Sequence, residues 1–153
     1  MKKLTYLWTL ILILALNGCF SQQAAEAPVE KAQATTLDIA VIASGTNTPM
    51  AVHFFALETD EQFKRLDYFE LMKKKQSKLS GDIVTQSKKI LMPSEMEKRS
   101  IKVDKNIRYY AVVAGFKNVE DNDNWRFIQE IIPESKNDIT LILDQNSMRK
   151  VNK

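Results

Sequence analysis

Two antiparallel sheets packed face to face, with one inserted helix, form the all-β sandwich that this sequence predicts. Three observations carry that expectation. From residue 36 onward, short apolar segments alternate with turn clusters, which gives seven strands in about 110 residues. Only one stretch of that region, residues 60–73, spaces its apolar side chains as a helix does. Composition is that of a folded chain, 44% hydrophobic and 27% charged with only 4 Gly and 4 Pro, which excludes collagenous, low-complexity and wholly disordered classes.

The elements follow in order. Leu37, Ile39 and Val41 alternate with Asp38 and Ala40, the period of a half-buried strand. Ser44, Gly45, Thr46, Asn47, Thr48 and Pro49 form a turn cluster, and residues 51–57 (AVHFFAL) make a second, more apolar strand. Thr59 with Gln62 three places later has the form of a capping box, and Phe63, Leu66, Phe69, Leu71 and Met72 supply the helix with an apolar face. A Lys-rich run over residues 73–78 leads to a break at Leu79-Ser80-Gly81-Asp82. Further strands are expected over residues 83–92 (closed by Pro93), 98–104, 108–117, 125–132 and 138–143, with a polar turn at Glu120-Asp121-Asn122-Asp123-Asn124. No internal repeat is present.

The first residues are of another kind. Lys2 and Lys3 precede thirteen uncharged residues, 4–16, a run shorter than the roughly 20 that span a bilayer core. A basic start, a short apolar run and small residues before a cut site describe a secretory signal. Removing residues 1–18 takes away two lysines and no acid, so the net charge of +3 falls to +1. That leaves no compositional argument for a nucleic-acid binder.

Leu16-Asn17-Gly18-Cys19 resembles the lipobox of bacterial lipoproteins. The resemblance implies cleavage before Cys19, a diacylglyceryl group on its thiol and acylation of the new amine. Each buried CH₂ contributes about 0.8 kcal/mol, and three chains hold where one holds only marginally. Cys19 is the only cysteine of the chain, so the thiol has no disulfide partner within it. The alternative is an ordinary signal that happens to contain a cysteine. Phe20 after the cysteine suggests, by analogy with enterobacterial lipoproteins, sorting to the outer membrane. Residues 20–35, rich in Ala, Gln and Glu, read as a tether with a span of about 22 Å if flexible. The expected organisation is therefore a signal over 1–18, a lipidated Cys19 with its tether over 19–35, and a sandwich domain over 36–153.

Catalytic and metal-binding patterns are hard to build from these residues. His53 is the only histidine and sits in an apolar strand, with no motif beside it to supply an activated nucleophile. The acidic turn at 120–124 fails the calcium-loop pattern, because the fifth and sixth places counted from Asp121 are Trp125 and Arg126. The lysine run at a helix end has no interleaved aromatics, so it reads as a solvated face. Neither a catalytic residue, a metal site nor a cofactor is expected. A lipoprotein holding a small ligand in its sandwich is the alternative to a structural role, and it needs a sizeable apolar pocket with a few convergent polar groups.

Several segments together are similar to a known family. Pro49-Met50-Ala51-Val52-His53-Phe54-Phe55-Ala56-Leu57 is similar to the PVVVRVYQL strand of the type VI secretion system lipoproteins, the TssJ family. Gln62-Phe63 through Asp67-Tyr68-Phe69-Glu70-Leu71 resembles the helix that follows it there. Leu79-Ser80-Gly81-Asp82-Ile83-Val84 resembles the family's LGxDLL segment, and Met92-Pro93-Ser94-Glu95 stands where the family has PGES. Residues 110–117 (YAVVAGFK), followed by Asn124-Trp125-Arg126, resemble its VVA…WR pattern. The resemblance covers roughly residues 37–146. It implies a transthyretin-like sandwich with an added helix, anchored by lipid to the periplasmic face of the outer membrane. The partner it implies is the periplasmic C-terminal domain of the inner-membrane protein TssM. The family's contact surface includes the loop between the first two strands, which here is residues 44–49, shorter than usual and without charged residues.

Overall fold

The computed structural model describes residues 33–74, 82–120 and 124–151, all within one compact unit, Ala32–Lys153. The leader, Cys19, most of the tether, the lysines from residue 75 with Leu79-Ser80-Gly81, and Asp121 to Asp123 lie outside the described residues. The elements run β1 (Thr36–Ala43), β2 (Met50–Leu57), α1 (Glu61–Arg65), α2 (Tyr68–Lys74), β3 (Ile83–Leu91), β4 (Met96–Lys102), β5 (Tyr109–Ala114), β6 (Arg126–Glu130), β7 (Lys136–Leu143) and β8 (Met148–Lys150).

The expected two-sheet sandwich is the architecture observed. One sheet has the order β4-β1-β7-β8 and the other β3-β2-β5-β6. Pairing is antiparallel except between β1 and β7, which run parallel with Ile39 opposite Ile139. Leu37, Ile39, Val41 and Ala43 of β1 meet Ile139, Leu141 and Leu143 of β7 on the inner face, all buried, and the intervening residues face outward.

β2 departs from simple alternation because seven of its eight residues are buried. Phe54 looks between the sheets, where the Arg99 guanidinium of β4 lies 3.8 Å from its ring centroid. Phe55 looks the other way and meets Phe63 of α1 edge-on at 5.2 Å. A strand apolar on both faces needs a cover on each side. Here the opposite sheet is one cover and the α1–α2 segment, through buried Phe63 and Leu71, is the other. His53 shares that second face, buried and stacked at 6.4 Å on Phe55.

The helix expected over residues 60–73 is two helices. Leu66 is extended (φ −81, ψ 140), which ends α1, and Asp67 starts α2 by accepting the Glu70 N–H at 2.7 Å. Asp67 with Glu70 three places on is itself a helix-start signal, in competition with the apolar spacing that runs through it. The Thr59–Gln62 capping box is also corrected. The N-cap of α1 is Asp60, without a side-chain cap, and the Thr59 hydroxyl instead donates to Asp82 at 2.8 Å. The eighth strand, β8, was not expected; three residues are too few to carry a period.

Arg126 secures the helical cover. Its Nη1 donates to the carbonyls of Lys64 at 2.8 Å, Leu66 at 3.0 Å and Phe63 at 3.4 Å, and the guanidinium lies over the Trp125 ring. The carbonyls that α1 leaves unpaired at its end thus meet a permanent cation. The hairpin between β7 and β8 is held by one carboxylate. Asp144 accepts N–H bonds from Asn146 at 2.9 Å and Ser147 at 2.8 Å and the Ser147 hydroxyl at 2.8 Å. These donors, the Asn146 N–H foremost, hold its carboxyl below the usual Asp range.

Two outcomes follow. Arg126→Ala should lower unfolding free energy by about 1.5–3 kcal/mol, the range for hydrogen bonds to a charged group. Arg126→Lys should recover only part of it because the planar fork is lost. Urea titration of the domain reads both, with Lys98→Ala, exposed on the outer face of β4, as the control. Secondly, the depressed Asp144 carboxyl contributes stability that is fully present above the unfolded Asp value of about 4 and is lost as pH falls through its folded value. Melts of wild type and Asp144→Ala should therefore differ at pH 7 and converge in acid.

Candidate functional site

The strand directions collect four connections at one end of the sandwich: residues 44–49, 92–95, 144–147 and, of the β5–β6 connection, the described residues 115–120 and 124–125. The 44–49 loop is knitted to its neighbours. Ala43 N–H donates to Glu95 O at 2.9 Å, Ser94 N–H to Ala43 O at 2.8 Å, and Gly45 N–H to Leu143 O at 3.2 Å. Met148 N–H reaches Asn124 O at 3.0 Å, which ties in the β5–β6 connection. Glu95 closes the β3–β4 turn by accepting the Met92 N–H at 2.8 Å, and Lys89 lies 3.2 Å from it. That N–H and the Lys89 ammonium keep the Glu95 carboxyl below its ordinary value.

Within this end, the six residues singled out from the sequence play different parts. Ser44, Asn47, Thr48 and Pro49 are exposed. Gly45 packs against the β7–β8 hairpin, where a Cβ would stand 2.9 Å from Asp144 Cβ and 3.1 Å from its Cα. Thr46 is buried at 6% exposure, and its Oγ1 has no hydrogen-bond partner among the described residues. The loop's exposed surface is thus a short polar stretch on a fixed base. Cys19 lies outside the described residues. Residues 33–36 enter the sandwich at the start of β1, the end opposite this loop cluster.

A second feature lies along the flank where the edge strands β3 and β4 face each other. Arg99 closes the upper part of the gap between the sheets. It donates to Glu97 at 3.0 Å and Ser87 at 2.6 Å while covering Phe54, and Lys89 stands 3.8 Å from Glu97. Below it a cleft of about 200 Å³ opens over Phe54, Ala56, Ile101, Ile107 and Tyr110. Small-molecule sites run to about 300–1,000 Å³ with convergent polar groups. This cleft is smaller, and its chief polar group, Arg99, is engaged with Glu97, Ser87 and Phe54. Burial raises the Tyr110 phenol above its ordinary value, against a smaller lowering by Arg99. The polar ladder was missed in the sequence, although Glu97, Arg99 and Ile101 alternate on one strand face and carried the signal.

Other sequence candidates fall into the framework. Trp125 is buried and meets Tyr68 edge-on at 5.6 Å, and Arg126 caps α1. Among the described residues no group of three or more His, Cys, Asp and Glu side chains converges as a metal centre would require.

The comparisons with known proteins agree with one another. The family model for T6SS-SciN, the type VI secretion lipoprotein family that includes VasD, EvfM and TssJ, matches residues 29–146. No curated protein is a significant match. Among solved structures, the fold is similar to the T6SS lipoprotein TssJ1 from Pseudomonas aeruginosa, with a TM-score of 0.72 and 23% identity over 78% of this chain and 97% of that one. It is similar also to Lip from Serratia marcescens, described as a membrane-bound component of the type VI secretion system, with a TM-score of 0.69 and 16% identity over 78% and 98% of the two chains. A chain from a structure described as the T6SS protein TssM C-terminal domain from EAEC aligns with a TM-score of 0.60 and 18% identity over 79% and 99%. With the family match spanning well over half its length, the chain belongs to the type VI secretion lipoproteins of the TssJ family.

Proposed function

We propose that this protein is the lipid-anchored link of a type VI secretion membrane complex, joining the periplasmic C-terminal domain of TssM to the outer membrane. Membership of the family supports a component of that membrane complex. The observation that carries the finer reading is the polarity of the sandwich. The chain enters from the Cys19 side at one end, and the 44–49 loop sits in a braced cluster at the other. An adaptor needs two separate attachment points on one rigid body, and the separation of these two ends supports that reading. Anchoring one end also raises the effective concentration of the other end for a partner.

In this reading the signal occupies residues 1–18, Cys19 carries the acyl chains, residues 20–35 span to the domain, and the domain begins near residue 36. Ser44, Asn47, Thr48 and Pro49 reach the partner, while Gly45 and Thr46 set the loop's shape. The only histidine of the sequence, His53, is buried and stacked on Phe55. The flank cleft between β3 and β4, at about 200 Å³, falls below the usual size of a small-molecule site.

Cys19→Ser should leave the domain folded and release it from membrane pellets. Retention of that variant in membranes stripped of other proteins would reject the anchor. Asn47→Glu should weaken binding to the purified TssM periplasmic domain at least several-fold with an unchanged melting curve, read by calorimetry and thermal unfolding. Gly45→Ala should lower both affinity and stability, the latter by about 1–3 kcal/mol as overpacking does. Unchanged affinity in Asn47→Glu would move the contact elsewhere on the molecule.

A further inference from the structure

The turn between β6 and β7 holds an apolar side chain out in water. Asn137, itself buried, accepts the Ile132 N–H at 2.8 Å and donates to Ile132 O at 3.0 Å and Thr36 O at 3.2 Å. The Ser135 hydroxyl also donates to Ile132 O at 2.9 Å, and Ile131 N–H is held by Arg108 O at 2.8 Å. Glu134 sits in the left-handed region at φ 53. Despite this bracing, Ile132 is 64% exposed, more than any other large hydrophobic residue among the described ones. A well-braced backbone that presents a bare Ile followed by Pro133 is the design of a contact point.

Its position says what it contacts. Glu134 N–H donates to Thr35 Oγ1 at 2.8 Å and Thr36 N–H to Ser135 O at 3.0 Å, so the turn is bonded to the residues through which the chain leaves for Cys19. Only residues 20–35 separate that exit from the cysteine, a span of about 22 Å if flexible. Beside Ile132 runs a groove of about 670 Å³ whose lining includes Ile107, Ile131 and Pro133 with the cations Lys102 and Lys105, alongside Asp104 and Glu134.

We infer that this turn is a second, non-covalent membrane contact. Ile132 and Pro133 seat in the acyl–headgroup boundary of the leaflet that holds the Cys19 chains, with Lys102 and Lys105 at headgroup depth. Apolar insertion at the interface carries the contact, since the groove's charges, Lys102 and Lys105 against Asp104 and Glu134, balance. The contact orients the domain on its anchor and turns the 44–49 loop away from the bilayer. It rests on the lipidation of Cys19.

The test uses the full lipidated chain, in which Cys19 is consumed and an introduced cysteine is the only free thiol. I132C and N47C are each labelled with an environment-sensitive fluorophore on vesicles of phosphatidylethanolamine with a minority of phosphatidylglycerol. The expected result is blue-shifted emission at position 132 and several-fold stronger quenching there than at 47 by nitroxide lipid. Flotation with the vesicles but equal quenching at both positions overturns the inference and leaves the anchor standing. Failure of the lipidated wild-type chain to float rejects the anchor, and the inference with it. Shielding of position 132 that requires added TssM domain rather than lipid also overturns it, assigning the turn to a protein partner.

Discussion

The architecture depends on one strand that is apolar on both faces. Phe54 and Phe55 are adjacent in β2 and point in opposite directions, and both are almost fully buried. Each face carries apolar area worth roughly 25 cal/mol per Å² when removed from water. The β1 sheet covers one, and the α1–α2 segment covers the other. The cover on the helical side is short and would be weak alone, since helices of a few turns are marginal in water. It is held by Phe63 and Leu71 in the core and by Arg126 reaching across from β6 to the end of α1. The family's WR pattern thereby acquires a physical role: Trp125 packs under the segment and Arg126 closes it.

From that rigid body comes the separation of ends on which the proposed function turns. Parallel pairing of β1 with β7 sets the start of β1, where the chain arrives, at the opposite end from the β1–β2 and β7–β8 turns. The arriving chain is stitched to the β6–β7 turn, and the loops at the other end are stitched to each other through Ala43, Gly45, Ser94 and Met148. A continuous hydrogen-bonded lattice therefore runs along the strands between the two ends. No hinge need be invoked between those ends.

How much of this was legible in the sequence depended on the type of signal. β1 reads cleanly because one face is dry and one is wet, and alternation reports that directly. β2 was legible as a strand but not as a strand with two covers; only the neighbouring helix made sense of His53 and Phe55 being buried together. The division at Leu66 was hidden because apolar spacing continued through it, while the Asp67–Glu70 start signal was read as part of the same helix. β8 was illegible, since its pairing is dictated by the Asp144 turn rather than by its own three residues. At the candidate site, the turn cluster over residues 44–49 was plain. That Gly45 and Thr46 face inward follows from the packing of a hairpin a hundred residues away. The braced, exposed Ile132 also had no sequence signature, because an Ile in a strand pattern reads as core.

The chemistry of the mature N-terminus decides whether the domain is anchored. Intact-mass analysis of the protein extracted from membranes with detergent should give a chain beginning at Cys19 and heavier than its sequence by a diacylglyceryl group and one further acyl chain. A mature chain starting elsewhere, or one starting at Cys19 with the unmodified mass, would contradict the anchor.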